Sequence, residues 1–268
     1  MSPDHPEEAR RPSLADLRAA ALAGPPYEAA FLDALEADPR AGARAVSMTC
    51  IRRQAAVFTE QQRLLEMLRF EREAAAGGFS RVAGVDEAGR GPLAGPIVAG
   101  AVVLSHPIEG LDDSKRLTAE QRDRLFEVIH AEACDVGMAV VASEEIDRDG
   151  IQSSNYRAMK EAVEALHMTP DFLLVDGFSI QGCALPQMRI VKGDRRSLSI
   201  AAASIVAKVT RDRMMDELDA QYPQYGFAQH KGYGTRDHLE AIKRHGPCAV
   251  HRKSFAPIAE MRETGLLF

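Results

Sequence analysis

The chain has 268 residues, 46% of them hydrophobic and 27% charged, which is the composition of a soluble globular protein with one sizeable domain and an accessory piece. Its net charge of −6 argues against a generic polybasic nucleic-acid binder, and four cysteines (Cys50, Cys134, Cys183, Cys248) with no Cys-x-x-Cys pair exclude a disulfide framework and zinc-finger spacing. No apolar run approaches membrane-spanning length and the polar N-terminus lacks an apolar signal core, so a cytoplasmic protein with free thiols is expected.

Residues 1–12 are polar and proline-bearing and are expected to be disordered. Residues 13–77 are rich in Ala, Leu, Glu and Arg with few β-branched residues, and read as a small helical extension. Ser13 is a plausible N-cap, Leu64, Leu65 and Leu68 recur at helical spacing, and Gly77-Gly78 ends the last helix. From residue 81 the pattern alternates. Strands are predicted at Val82–Asp86, Ile97–Leu104, Asp135–Ala142, Phe172–Asp176 and Met188–Lys192. Helices are predicted from the Thr118 cap to about Ala133, and at Ile151–His167, Ser197–Tyr222 and Thr235–His245. Five strands interleaved with helices argue for an α/β layer fold, divided as a tail and extension over 1–80 and a domain over 81–268.

Charge is uneven along the chain: the net is −2 over residues 1–80, −9 over 81–185 and +5 over 186–268. Solvated surface accounts for this asymmetry when it is taken alone. It also suits carboxylates that hold metal beside a basic part that meets phosphate.

The densest chemistry lies in Val85-Asp86-Glu87-Ala88-Gly89-Arg90-Gly91-Pro92. Two adjacent carboxylates end an apolar run, glycines permit close backbone approach to a ligand, and the arginine between them can address a phosphate. Asp176 ends a second apolar strand, and Asp194 follows a third and precedes the long helix. Open α/β sheets carry their sites beyond strand ends, so the four acids are expected to converge. Oxygen donors without His or Cys suit Mg²⁺ or Mn²⁺ rather than zinc. Two such ions about 4 Å apart can clamp the attacking and leaving oxygens of a phosphodiester. Asp194 has a second account, since an acid before a helix also complements the helix dipole.

Several separate stretches, in order, resemble ribonuclease HII, the type 2 ribonuclease H. They are Gly84 to Pro92, Asp113-Ser114-Lys115, Leu174-Val175-Asp176-Gly177, Lys192-Gly193-Asp194, Ser199 to Asp212, Lys231-Gly232-Tyr233-Gly234-Thr235 and His251-Arg252-Lys253-Ser254-Phe255, spanning about 81–260. Residues 13–77 look like the helical extension of some bacterial members. The resemblance implies a ribonuclease H-like fold, with a five-stranded mixed sheet flanked by helices and a helical C-terminal part. It also implies an endonuclease that cuts the RNA strand of RNA–DNA hybrids and cuts 5′ to single ribonucleotides in DNA, leaving a 5′ phosphate. Asp86, Glu87, Asp176 and Asp194 would be the catalytic metal holders. Gly89, Arg90 and Gly91 would recognise the ribonucleotide through its 2′-hydroxyl and flanking phosphates, and Tyr233 would stack on the next deoxyribose and favour an RNA-to-DNA junction. A metal-activated water would be the nucleophile, and the protein is expected to act as a monomer in ribonucleotide removal.

Other candidates carry plainer alternatives. Ser204, Lys208 and Arg211 form a polar stripe on the long helix, placed either to contact nucleic-acid backbone or to be a solvated face. Ser114 and Lys115 suit phosphate contact. His251 lies in a basic run, so phosphate contact suits it better than proton transfer, and His230 reads as a hydrogen-bonding loop residue. Tyr233, without the family, is either packed inward or exposed for stacking. The arginines of 44–72 read as a solvated helical face, with hybrid binding as the alternative. The final Leu266-Leu267-Phe268 is read as a frayed or packed end rather than a docking motif. An actin-type phosphotransferase shares the sheet topology but needs phosphate-binding hairpins where this chain has Gly-Arg-Gly-Pro. A non-catalytic hybrid-binding module would be expected to lack an acid, and all four are present.

Overall fold

The computed structural model describes residues 12–263, so the last five residues, with their Leu-Leu-Phe end, lie outside the described residues. The chain divides into two compact units, Met1–Arg63 and Leu64–Phe268. In the first, α1 (Leu14–Leu22), α2 (Ala29–Glu36) and the start of α3 (Ala41–Met67) enclose Leu17, Ala21, Leu35, Ala43, Val46 and Cys50. Ser13 caps α1 as its sequence suggests: its hydroxyl accepts from Asp16 N, and Asp16 Oδ2 accepts from Ser13 N at 2.9 Å.

The second unit adds α4 (Arg69–Ala76), β1 (Val82–Ala88), β2 (Ile97–Val103), α5 (Ala119–Glu132), β3 (Asp135–Val141), α6 (Ser143–Asp149) and α7 (Ile151–Glu164). It continues through β4 (Phe172–Asp176), β5 (Gln187–Ile190), α8 (Leu198–Gln221), α9 (Phe227–His230), α10 (Arg236–His245) and α11 (Ile258–Glu263). The strands form one mixed sheet in the order β3-β2-β1-β4-β5, antiparallel from β3 to β1 and parallel from β1 to β5. All seven residues of β2 are buried, as a near-continuous apolar run demands when helices cover both sheet faces. Ala158, Met159 and Ala162 of α7 pack on one face; Ala201–Ala203, Ile205 and Val206 of α8 pack beneath the other. The expected α/β layering is what folds. The two compact units meet inside α3, and α4 packs on β1 and β4.

Helix α8 approaches the sheet so closely that two strand glycines are required. A Cβ on Gly84 would lie 2.0 Å from the Ser199 carbonyl carbon, and one on Gly100 would lie 2.7 Å from the Ala203 oxygen. The start of α8 is held from outside by Glu71 of α4, whose Oε1 accepts from Ser197 Oγ, Ser199 N and Ser199 Oγ at 2.6, 3.0 and 2.6 Å. Every residue from Leu198 to Ala207 is buried, so this helix threads the core and offers no continuous solvated stripe.

The sequence reading missed α6 and α9, which are seven and four residues long, too short to show a helical period. It also ran β5 on to Lys192, which instead adopts a left-handed backbone (φ 56°) and turns the chain away from the sheet. No described helix is long and apolar enough to cross a membrane.

Gly84→Ala tests the close approach. Both neighbours are backbone, so the helix has to shift, and a loss of about 2 kcal/mol or more is expected in denaturant unfolding. Wild-type stability in this variant would mean that α8 is not held against β1 this tightly.

Candidate active site

Asp86 and Glu87 lie at the end of β1, and Asp176 ends β4. Val85 pairs with Val175 in parallel register, so Asp86 and Asp176 stand side by side one residue on. Asp176 Oδ1 accepts from Gly193 N at 2.6 Å, which draws the turn holding Asp194 (a short 3-10 segment, Gly193–Arg195) against the end of β4. Four acids remote in sequence are thus brought to one end of the sheet by strand register and a single turn.

Their electrostatics are those of crowded like charges. Burial, then Glu87 and Asp176, hold Asp86 well above the usual carboxylate range, against hydrogen bonds from Glu87 N (2.7 Å) and Ser204. Burial pushes Glu87 up to about 7, with Asp176 adding to it and Arg90, Lys115 and Asn155 opposing. Burial, Asp113 and Asp176 raise Asp194, against Lys115, whose Nζ lies 3.5 Å from Asp194 Oδ2. Burial disfavours the Lys115 charge, but Asp194, Asp86 and Asp113 outweigh it and its pKa rises. Among the described residues, no three acidic, thiol or imidazole groups are drawn together into a ready metal cage. All-oxygen, mutually repelling donors are nonetheless the chemistry that a hard divalent cation relieves.

Beside the acids lies a pocket of about 420 Å³ with Glu87 in its wall. Gly89, Arg90 and Gly91 line it from the loop after β1, and Ser114 and Lys115 from the loop before α5. Ser204, Lys208 and Arg211 line it from α8, and Tyr233 from the loop before α10. Tyr233 is 48% exposed, so of its two readings the outward one holds. Arg90 lies over the Phe178 ring at 4.7 Å, donates to Gln152 Oε1 at 3.2 Å and approaches Glu87 at 3.6 Å. The Ser114 and Ser204 hydroxyls are 2.9 Å apart. Lys208 pairs with Asp212 at 2.6 Å, and burial lowers its pKa against that partner.

Two expectations need correction. Arg211 is buried rather than part of a solvated stripe, although its side chain also lines the pocket. Its three guanidinium nitrogens donate to the carbonyls of Pro96 (2.9 Å), Lys231 (3.0 Å) and Ala94 (3.1 Å), which engages three of its five N–H groups with backbone. His251 is likewise buried, bonded to His238 and Cys248, and so is not a phosphate contact. Arg211 turns inward because the loops it braces have carbonyls that need donors, and His251 because the Cys248 N–H and the His238 ring give its nitrogens partners there.

Sequence reasoning also passed over residues that the fold brings to the site. Arg252, buried in the same basic run, donates to the carbonyls of Gly89 (2.6 Å), Arg90 (3.0 Å) and Gly95 (2.9 Å) and so braces the Gly-Arg-Gly turn. Burial and Arg211 push its pKa down, but a guanidinium keeps its charge. Asp113 clamps the loop carrying Lys115: it accepts from Lys115 N at 2.9 Å and pairs with Arg195 at 2.7 Å. Asn155 is fully buried in α7, donates to Met159 Sδ at 3.8 Å and lies close enough to Glu87 to oppose the rise in its pKa. The available signal was Gln152 and Asn155, polar residues three apart on the same helix as buried Met159.

Comparison with known proteins agrees. The Ribonuclease HII family model matches residues 83–258, and the Ribonuclease HII N-terminal domain model matches 20–75. A ribonuclease HII of Geobacillus kaustophilus (strain HTA426) is 52% identical over 85% of this chain and 88% of its own length. One from Myxococcus xanthus (strain DK1622) is 48% identical over 97% and 90%. The crystal structure of ribonuclease H2 from Pyrococcus horikoshii OT3 superposes with a TM-score of 0.59 at 27% identity, covering 69% of this chain and 98% of that one. On the strength of matches that run through the sheet, the acids and the pocket loops, the chain belongs to the ribonuclease HII family and is a hydrolase of the ribonuclease H class.

Proposed function

We propose that this chain is a divalent-metal-dependent endoribonuclease of RNA–DNA hybrids that also cuts 5′ to a single ribonucleotide in DNA, leaves a 5′ phosphate and serves in ribonucleotide removal. One observation carries the reading. The crowded acids Asp86 and Glu87 adjoin a pocket whose wall is a backbone-exposing Gly-Arg-Gly turn on one side and an exposed tyrosine on the other.

In this reading Asp86, Glu87, Asp176 and Asp194 hold Mg²⁺ or Mn²⁺, two ions in the active complex. Such an ion, when bound, polarises a phosphoryl oxygen and lowers the pKa of a water to a useful range. The rest falls to the chain. Gly89 and Gly91 let backbone reach a ribose 2′-hydroxyl, the one group that marks RNA at this position. Arg90, oriented by Phe178 and Gln152, meets a flanking phosphate. Lys115, from the loop before α5, and Lys208, from α8, add positive charge for phosphates. Tyr233 stacks on the sugar of the following deoxynucleotide. Arg211 and Arg252 hold the carbonyls of the recognition loop inward, so that its N–H groups are free to face the pocket.

Cleavage of a DNA duplex containing one ribonucleotide tests the reading. With Mg²⁺, wild type is expected to cut 5′ to the ribonucleotide, and Asp86→Asn to lose on the order of 10²-fold or more. No cut by wild type with Mg²⁺ or Mn²⁺ would leave hybrid binding without turnover as the better account.

The acids also set a pH dependence. Glu87 is half protonated near pH 7, so an incoming ion has to displace its proton below that value. Mg²⁺ affinity by calorimetry is expected to be flat above pH 8 and to weaken by up to about tenfold per unit below 7, with proton release at pH 6.5. Constant affinity from pH 8 to 6 would remove Glu87 from the ligand set.

A further inference from the structure

The loop that presents Tyr233 is held from behind by a chain of histidines that the reading above does not use. Both backbone groups of Tyr233 are bonded: its N–H donates to His230 O at 2.9 Å, and its carbonyl accepts from Thr235 N at 2.8 Å and lies 2.9 Å from His238 Nδ1. His238 Nε2 lies 3.0 Å from His251 Nε2, and His251 Nδ1 accepts from Cys248 N at 2.9 Å.

Only one set of neutral tautomers satisfies this chain. A backbone N–H points at His251 Nδ1, so that nitrogen carries a lone pair and the proton sits on Nε2. His251 Nε2–H then donates to His238 Nε2, and the His238 proton has to be on Nδ1, where it donates to the Tyr233 carbonyl. A proton added to either ring would set N–H against N–H. The surroundings keep both rings neutral. Phe227 meets His238 edge-on at 5.5 Å, Tyr225 covers His251 at 4.8 Å, and His230 stacks on His238 at 4.4 Å. Burial pushes His238 down to about 4 and His251 to about 3.

The relay also joins the two walls of the pocket. Arg252, next to His251, holds the Gly89 and Arg90 carbonyls, while Leu93 N donates to Gly232 O at 2.8 Å beside Tyr233. The Gly-Arg-Gly turn and Tyr233 are therefore referenced to one backbone frame.

We propose that the His238–His251 relay is a positioning device that fixes Tyr233 relative to the Gly-Arg-Gly turn and so sets the preference for an RNA-to-DNA junction over uninterrupted RNA. It rests on the reading of Tyr233 as the residue that meets the sugar after the ribonucleotide. The turn reads one sugar and the tyrosine the next, so selectivity requires both at a set spacing. A tyrosine pressed on the second sugar leaves no room for a 2′-hydroxyl there, and a loosened one does. Small displacements of a positioning group are costly in this way.

The test combines a spectroscopic signature with a ratio. Long-range ¹⁵N–¹H correlation of histidine-labelled wild type at pH 7 is expected to show His238 as the Nδ1–H tautomer and His251 as Nε2–H. Kinetically, kcat/KM on a duplex with one ribonucleotide is divided by kcat/KM on a long hybrid. His238→Leu is expected to lower this ratio about fivefold, the worth of one net hydrogen bond. His238→Asn, whose amide can still donate to the Tyr233 carbonyl, is expected to restore it. A His238 that is charged or Nε2-protonated in wild type overturns the proposal whether or not the leucine variant folds. So does an unchanged ratio in His238→Leu while Tyr233→Ala lowers it. If Tyr233→Ala itself leaves the ratio unchanged, the reading of Tyr233 fails and takes the relay's role with it.

Discussion

The contact on which the rest of the second unit depends is backbone against backbone, where the first turns of α8 lie on β1 and β2. Gly84 and Gly100 leave no side chain in the gap, and Ala201–Ala203 leave little on the helix side. This fixes the helix in depth and rotation, and everything along it inherits that placement. Asp194 enters just before its start, Ser204 comes under Asp86, Lys208 opens into the pocket, and Arg211 lands among the carbonyls of the loop after β1. A larger residue at either glycine would move all four together, since protein interiors transmit strain rather than absorb it.

The two sides of the site show opposite ways of carrying uncompensated charge. Asp86, Glu87 and Asp194 crowd negative charge under partial burial, with Lys115 the nearest cation to Asp194. Arg211 and Arg252 bury positive charge with no ion-pair partner among the described residues, satisfied by carbonyl dipoles alone. Buried charges are tolerated when they are well hydrogen-bonded, and every nitrogen of the two guanidiniums donates to a backbone carbonyl. The acids meet that condition only in part, so they are the groups that gain most from an external cation.

How much of this was legible in the sequence follows from what each feature depends on. The strands and the acids at their ends were readable, because an apolar run and the residue that stops it are local facts. The α/β layering followed from alternation of elements, whereas the strand order β3-β2-β1-β4-β5 depends on pairings between remote segments and was not readable. Arg211, His251 and Arg252 were not readable as they stand. A charged or basic residue ordinarily lies at the surface, and only the tertiary fold reveals that loop carbonyls wait for the two arginines and that Cys248 N and His238 wait for the histidine. Tyr233 was undecided for the same reason: a Gly-Tyr-Gly turn permits both directions, and the bonds to His230 and His238 that hold its backbone come from residues on either side of the turn. Asn155 escaped because a polar residue near a helix start looks like surface, although Met159 one turn on is core.

Glu71 has a consequence for how the chain can be shortened. Its carboxylate closes the first turn of α8 through three hydrogen bonds, yet in sequence it lies within the stretch that matches the N-terminal domain model. A truncation that begins at the first strand would remove an accessory piece on paper and a structural cap in fact. The severable part of this protein ends at about Arg63, where compactness changes, and an isolated nuclease unit needs α4 at its head.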